Sequence, residues 1–486
     1  MSKNKNKAKN KKNVNILSRI VGIIFNILLI IFLGLIIYMD VLPTKYFSLV
    51  FGIIIFIAFV INLILFIPKV KTKLKIPANV FAILFSIVFA LGINYLYNTV
   101  DFLGRITSSG YQVENYYVVV LDNETFFKLD DLKSYKMGIL TSESDTYKKA
   151  RQELEKKVKT KNIDYNDNMK LANDLLNENV DAIFISEAYK VNLDEEVANF
   201  KNSTKIIETI SIKTKTKEIA KKVKVTEESF NIFISGIDTY GSISSVSRSD
   251  VNMIVTINPN THEILLTSIP RDYYVQLNGT KGLKDKLTHA GIYGVDKSIK
   301  TLEDLFGIEI NYYVKVNFTT LIDVVDVIGG IDINSDKSFI AYTDNSVRIK
   351  LGNNHLNGKQ ALAFARERYA YKEGDRHRVQ NQQAVITAIM NKVLSSKTII
   401  SKYNSLLNTL DGSFQTNMNM NSITSLVKKQ IDGMPKWNIT SQSVNGTDSS
   451  NYTYSYPNQK LYVMVPDMTT VETAKTKINE VLSKEK

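Results

Sequence analysis

Cysteine is missing altogether from this 486-residue chain, tryptophan occurs once and histidine four times. Without cysteine there is neither a disulfide framework nor a thiolate nucleophile. The histidines, at positions 262, 289, 355 and 377, show no metal-ligand spacing, which argues against a zinc enzyme. No G-x-S-x-G elbow and no Walker loop occurs, so a Ser-His hydrolase and a P-loop enzyme fit poorly. Arginine is scarce as well. The 61 basic residues include only ten arginines, yet four of them fall in RERYAYKEGDRHR, residues 366–378. A guanidinium, and not merely positive charge, is wanted there.

What the chain has in plenty is lysine, giving a net charge of +13. Much of the excess flanks apolar runs, in MSKNKNKAKNKK at the N-terminus and KVKTKLK at 69–75, so a membrane explains it better than nucleic acid does. The runs Ile20–Met39, Phe47–Ile67 and Ala78–Tyr97 contain no Asp, Glu, Lys or Arg. Each is about 20 residues, enough for roughly 30 Å of hydrocarbon. The lysine-rich tail and the 68–77 loop predict a cytoplasmic N-terminus, with everything after about residue 100 outside the cell. A cysteine-free, Lys/Asn-rich exported chain suggests a Gram-positive surface.

The expected organisation is α/β throughout the outer part. A cytoplasmic basic tail (1–19) leads into three transmembrane helices (20–97), then an accessory α/β domain (113–225), then a mixed α/β sandwich (228–486) whose motifs lie in 228–395. In the accessory domain YYVVVL, MGIL and VDAIFIS read as strands around polar helices. The lysine-rich stretch 213–224 reads as a solvated connection. In the second domain FNIFISGID, VNMIVTI and EILLTSI read as strands, and residues 382–394 as an amphipathic helix.

Charged residues cluster at the ends of these strands. Asp238 ends the first strand, Arg248 and Asp250 precede the second, and Arg271 and Asp272 follow the third. Arg366 and Arg368 would share a face if that stretch is extended. Asp375 is placed to cap the next helix, with Arg378 and Gln382 on its first-turn face. Guanidinium groups grip phosphate oxygens in a bidentate fork, so the set reads as a di- or polyphosphate pocket. Its carboxylates suit Mg²⁺, with Mn²⁺ as a substitute, bridging to phosphate. For any one Arg–Asp pair a plain surface ion pair is the competing reading, and Arg376 reads as solvated.

GIDTYG (236–241), SRSDVNMIVTINP (247–259), TSIPRD (267–272), DKLTHAG (285–291), VDVIGGIDI (325–333) and LNGKQALAFARERYAYKEGDRHRVQNQQ (356–383) follow in order. Together they resemble the LytR-CpsA-Psr family, and the three spans with an α/β insert resemble its capsule-associated members. The resemblance implies a phosphotransferase moving a glycopolymer, capsular or another anionic wall polymer, from an undecaprenyl-pyrophosphate carrier to the C6 hydroxyl of peptidoglycan N-acetylmuramic acid. It implies Asp238 and Asp250 as Mg²⁺ ligands. Arg248, Arg271, Arg366, Arg368, Arg378 and Gln382 would be phosphate ligands, with Lys286 adding charge, and either Asp238 or Asp272 would be the base. An apolar channel for the lipid and contact with capsule-assembly proteins are implied too. Asn381 stands where the family usually has Arg, and KLTHAGIYG departs from the usual pattern around Lys286. Two other readings compete: a pyrophosphatase or phosphodiesterase using water as acceptor, and a non-enzymatic membrane regulator of capsule synthesis.

Overall fold

The computed structural model describes all residues except 1, 41, 108–110, 124, 142–143, 216–218, 239–242, 244–246, 396–404, 407–408, 410–413 and 486. Residues 239–241 of the GIDTYG motif and 216–218 of the lysine-rich connection thus lie outside the described residues. Two compact units are formed, one from 1–107, 393–411 and 419–436, the other from 108–392, 412–418 and 437–486.

In the first unit the apolar runs become α1 (Ser2–Met39), α2 (Thr44–Phe66) and α3 (Thr72–Thr107). Their segments Lys12–Met39, Thr44–Phe66 and Thr72–Gly104 are long and apolar enough to cross a membrane. Phe25, Leu65 and Ala82 are buried between the helices, while many other apolar side chains face outward. Asn26 and Asn62 exchange side-chain hydrogen bonds at 2.9 Å in both directions, and Asn79 donates to Ser18 Oγ at 2.9 Å. Polar pairs of this kind fix which helix faces meet in an apolar setting.

Among the described residues the second unit holds two large sheets and four two-stranded ones. The first contains β1 (Tyr111–Leu121), β2 (Lys136–Leu140), β3 (Lys161–Tyr165), β4 (Ala182–Ser186) and β5 (Thr204–Lys215), in the order β3-β2-β4-β1-β5. Pairs β2/β3 and β2/β4 are parallel, whereas β1 runs antiparallel to both β4 and β5. Helices α4 (Asp145–Lys157), α5 (Asn168–Leu176) and α6 (Glu187–Glu196) pack on it. Their apolar faces, with Leu154, Leu171 and Leu193, close over the Val118–Val120 strand in one core. Strand β5 runs to Lys215, so the first residues of the expected lysine-rich connection belong to the sheet.

The second sheet has six strands: β6 (Phe230–Ile237), β7 (Val251–Asn258), β8 (Glu263–Ile269), β9 (Tyr312–Asn317), β10 (Phe414–Thr416) and β11 (Asn438–Ser443). Their order is β10-β9-β6-β7-β8-β11. The strands expected at VNMIVTI and EILLTSI form the antiparallel pair β7/β8, whereas β9/β6 and β11/β8 are parallel. Side chains alternate between the two faces. Phe233, Ile254 and Tyr313 enter a core with α7 (Val295–Phe306) and α11 (Met468–Ser483). Ile234, Val251 and Val316 point to the other face, toward α8 (Phe318–Val327), α9 (Gly358–Arg366) and α10 (Asp375–Val393). The mixed sandwich is therefore filled on one face and hollow on the other.

Lys315, on β9, is only 3% exposed. Burial pushes its pKa down to about 7, the Glu187 carboxylate opposing this only in part. An unfolded lysine keeps its proton up to about 10.5, so between pH 7 and 10.5 the unfolded chain binds more protons and stability rises with pH. Lys315→Met is therefore expected to raise the thermal unfolding midpoint at pH 7. The gain should shrink toward pH 10, which melting curves across that range check.

Candidate functional site

The hollow face becomes a site because of how its elements end. In the β6/β7 register Gly236 faces Val251, so the end of β6 and the start of β7 meet at one edge of the sheet. A Cβ on Gly236 would come within 2.7 Å of Val251 Cβ, so glycine permits this close pairing. Asp238 and Asp250 are thereby brought to the same rim, and the Asp250 N–H donates to Gly236 O at 2.8 Å.

From the other side come the arginines. Helix α8 starts directly at the end of β9, because the Asn317 side chain accepts the Thr320 N–H at 3.0 Å. Helix α9 opens with a reciprocal Asn357–Gln360 capping box. It crosses α8 so closely that a Cβ on Gly358 would lie 2.2 Å from Ile322 O. Its last residue, Arg366, lies over the Phe318 ring at 4.4 Å and reaches Asp238 at 3.6 Å. Arg368 lies just past the helix end. The two arginines share the pocket because a helix stops between them, and not because the stretch is extended as expected.

Asp375 also differs from the expectation of a cap. It is the first residue of α10, and its carboxylate is ion-paired with Arg378 at 2.8 Å and with Arg368 at 3.5 Å. Arg378 is 6% exposed, and burial lowers its pKa against the pull of Asp375. Its Nε has no hydrogen-bond partner, and that of Arg368 has only the 3.5 Å ion-pair contact with Asp375. Buried donors without acceptors are costly, and an anionic ligand would satisfy them.

Asp238, Asp250, Arg366, Arg368, Arg378 and Gln382 all line one pocket of about 810 Å³ including its open mouth. The rest of its wall is largely apolar, with Ile234, Val316, Leu321, Leu362, Val385 and Ile386 among the contributors. Arg248, Arg271, Asp272 and Lys286 do not line it. They form a supporting layer behind Asp250.

In that layer Arg271 Nη1 donates to Asp250 Oδ1 at 2.8 Å, and Arg271 Nε lies 3.5 Å from Asp272. Lys286 bridges Asp272 at 3.3 Å and Glu196, on α6 of the first sheet, at 3.4 Å. Burial by itself would raise the Asp250 carboxyl. The guanidiniums of Arg271, Arg248 and Arg378 overcome this and hold it below the usual carboxylate range. The 286–291 segment fits against the Ser247–Ser249 backbone at Gly291, where a Cβ would lie 2.3 Å from Ser247 O. Arg376, read as solvated, pairs at the surface with Gly446 O at 3.0 Å and Asp448 at 3.2 Å.

Sequence reasoning missed Phe318 beneath Arg366, Tyr342 in the pocket wall and Glu196 behind Lys286. Phe318 alone carried a signal, as an aromatic at a strand-to-helix junction. Among the described residues no group of three or more His, Asp or Glu side chains forms a metal cage.

Comparison with known proteins finds relatives of this chain. Residues 196–479 match the LytR_cpsA_psr family. A polyisoprenyl-teichoic acid–peptidoglycan teichoic acid transferase, TagU, of Bacillus mycoides is 37% identical over 202 residues, covering 41% of this chain and 64% of that protein. The chain therefore spans less than two thirds of that relative's length. TagU of Enterococcus faecalis is 34% identical over 214 residues, 43% of this chain and 69% of that protein. The crystal structure of B. subtilis TagV shares 31% identity over 54% of this chain and 99% of that one, with a TM-score of 0.45. On the family match, which takes in more than half of its length, the chain belongs to the LytR-CpsA-Psr family.

Proposed function

We propose that this protein is a membrane-anchored phosphotransferase that moves a lipid-pyrophosphate-linked glycopolymer onto peptidoglycan. The observation that carries the reading is a single pocket with arginines and carboxylates at its rim and an apolar interior behind them. A polyprenyl pyrophosphate has the same division. Its chain gains from apolar burial at about 0.8 kcal/mol per methylene, and its phosphates suit guanidinium forks. The naming of the two TagU relatives as teichoic acid transferases supports this class of reaction. The carrier as undecaprenyl, the polymer as capsular, and the acceptor as the C6 hydroxyl of N-acetylmuramic acid are parts of the same proposal. So are an extracytoplasmic site and contact with capsule-assembly proteins.

Arg366, Arg368, Arg378 and Gln382 grip the pyrophosphate oxygens. Arg248, Arg271 and Lys286 act from behind, fixing the charge and position of Asp250 and Asp272. Asp238 lines the pocket and its side chain is 39% exposed, whereas Asp272 lies buried in the layer behind. Of the two bases left open by the sequence, Asp238 is the one we assign. It takes the proton of the incoming sugar hydroxyl as that oxygen bonds to the phosphorus next to the polymer. The bond from this phosphorus to the bridging oxygen breaks, and polyprenyl phosphate leaves.

Two carboxylates on one rim fit Mg²⁺, or Mn²⁺, which takes one or two carboxylates and completes its shell with water and phosphate. Asp238 and Asp250 would hold the ion, which supplies charge neutralisation of the phosphates when bound.

The test uses purified full-length protein in detergent with a labelled lipid-pyrophosphate glycan, peptidoglycan fragments and Mg²⁺. A labelled glycan–peptidoglycan phosphodiester is the expected product. Release of phosphate or glycan phosphate without that adduct would replace transfer by hydrolysis.

A further inference from the structure

Beside the arginines stand two tyrosines that the phosphate site does not use. Tyr342 lines the pocket and is 43% exposed, while Tyr369 is 75% exposed. Their rings meet edge to face, with centroids 4.6 Å apart and planes at 79°. Large aromatic side chains so open to solvent ordinarily sit on mobile surface. Here the backbone that carries both rings is pinned.

The holding group is Glu367, which is 1% exposed although it lies between two arginines in sequence. Its Oε1 accepts the N–H groups of Arg368, Tyr369 and Ala370 at 3.1, 2.8 and 2.9 Å. Its Oε2 accepts the Tyr342 N–H at 2.9 Å. One buried carboxylate thus ties the 368–370 turn to the turn at Tyr342 through four charge-assisted bonds. Lys337 Nζ donates to Ala370 O and fastens the turn from its other end.

We propose that Tyr342 and Tyr369 form a binding platform for a pyranose ring next to the phosphates. A pyranose presents a face of C–H groups edged by hydroxyls, and a tyrosine offers an apolar ring with a polar tip. An isoprenoid chain fits less well, because the apolar interior of the pocket already accommodates it and Tyr369 stands in water. An edge-to-face corner also differs from the parallel slot that a nucleobase takes. The ring is either the first sugar of the lipid-linked donor or a sugar of the acceptor glycan. The inference rests on the proposed phosphate site and adds its sugar subsite.

The experiment is a binding titration on the full-length protein in detergent with three probes: farnesyl pyrophosphate, the same lipid carrying one N-acetylhexosamine on its pyrophosphate, and a peptidoglycan disaccharide fragment. Tyr369→Ala is expected to weaken one sugar-bearing probe about tenfold and to leave farnesyl pyrophosphate unchanged. Tyr369→Phe should retain most of the affinity. Loss on the lipid-linked sugar assigns the platform to the donor, and loss on the disaccharide assigns it to the acceptor. No change on either sugar, an equal loss on farnesyl pyrophosphate, or tighter binding of uridine diphosphate than of the lipid-linked sugar overturns the platform. If the wild-type protein fails to bind farnesyl pyrophosphate, the phosphate site itself falls, and the platform with it.

Discussion

Arg271→Ala is expected to reduce the proposed transfer by about two to three orders of magnitude while leaving the pocket wall intact. Arg271 does not line the pocket, yet its Nη1 is 2.8 Å from Asp250 and its side chain is 14% exposed. Breaking a buried ion pair by removing one partner costs about 3–5 kcal/mol, because the remaining charge stays buried. That cost falls on folding; the rate falls because Asp250 loses the donor that positions it, and a displaced or unsupported charged group in a site costs about a hundred- to a thousandfold. The pH dependence should move as well. With Arg271 gone, burial raises the Asp250 carboxyl with less opposition, so the acid limb of the transfer rate shifts to higher pH. Arg271→Lys keeps the charge but not the fork that reaches both Asp250 and Asp272, and should recover only part of the rate. Rates measured from pH 5 to 8 for the three proteins check this. An Arg271→Ala rate within tenfold of wild type would remove Arg271 and Asp250 from the proposed machinery.

Ile386→Trp should separate lipid recognition from phosphate recognition. Ile386 lies one helical turn after Gln382 on α10 and lines the apolar part of the pocket. An indole there occupies space the prenyl chain would use. Excluding two or three methylenes from burial costs about 2 kcal/mol, an affinity loss of about thirtyfold for a long-chain prenyl pyrophosphate. Inorganic pyrophosphate, which needs only the rim, should bind as before. Equal loss of both ligands would mean that the substitution had disturbed the rim, and unchanged affinity for both would mean that the lipid lies elsewhere.

The legible part of the site was the part written into strand and helix ends. Asp238 and Asp250 converge because an antiparallel pair must bring the end of one strand to the start of the next, a consequence readable from two adjacent apolar runs. Arg378 and Gln382 converge because a helix repeats every four residues or so. Arg366 and Arg368 reached the expected place by a different route, since a spacing of two looks the same whether the chain is extended or leaves a helix. Asp272 and Lys286 illustrate what spacing cannot carry. Asp272 was a candidate base and Lys286 an added charge for the phosphates, yet neither lines the pocket, and the partner that holds Lys286 away from it is Glu196, 90 residues away. Glu367 was hidden for another reason. Between two arginines it looks like a surface counter-ion, and only the folded turn shows its carboxylate facing inward to four backbone N–H groups.

The row of alternating charges running from Glu196 through Lys286, Asp272 and Arg271 to Asp250 has side chains no more than 20% exposed. Arg366 and Arg368, at the rim, are 31% and 34% exposed. Dissolved ions screen charges they can surround and barely touch those they cannot. The site therefore works in two electrostatic regimes. Capture of a polyanion at the rim weakens as the surrounding medium grows saltier, while the alignment of Asp250 is set inside the protein and is indifferent to it.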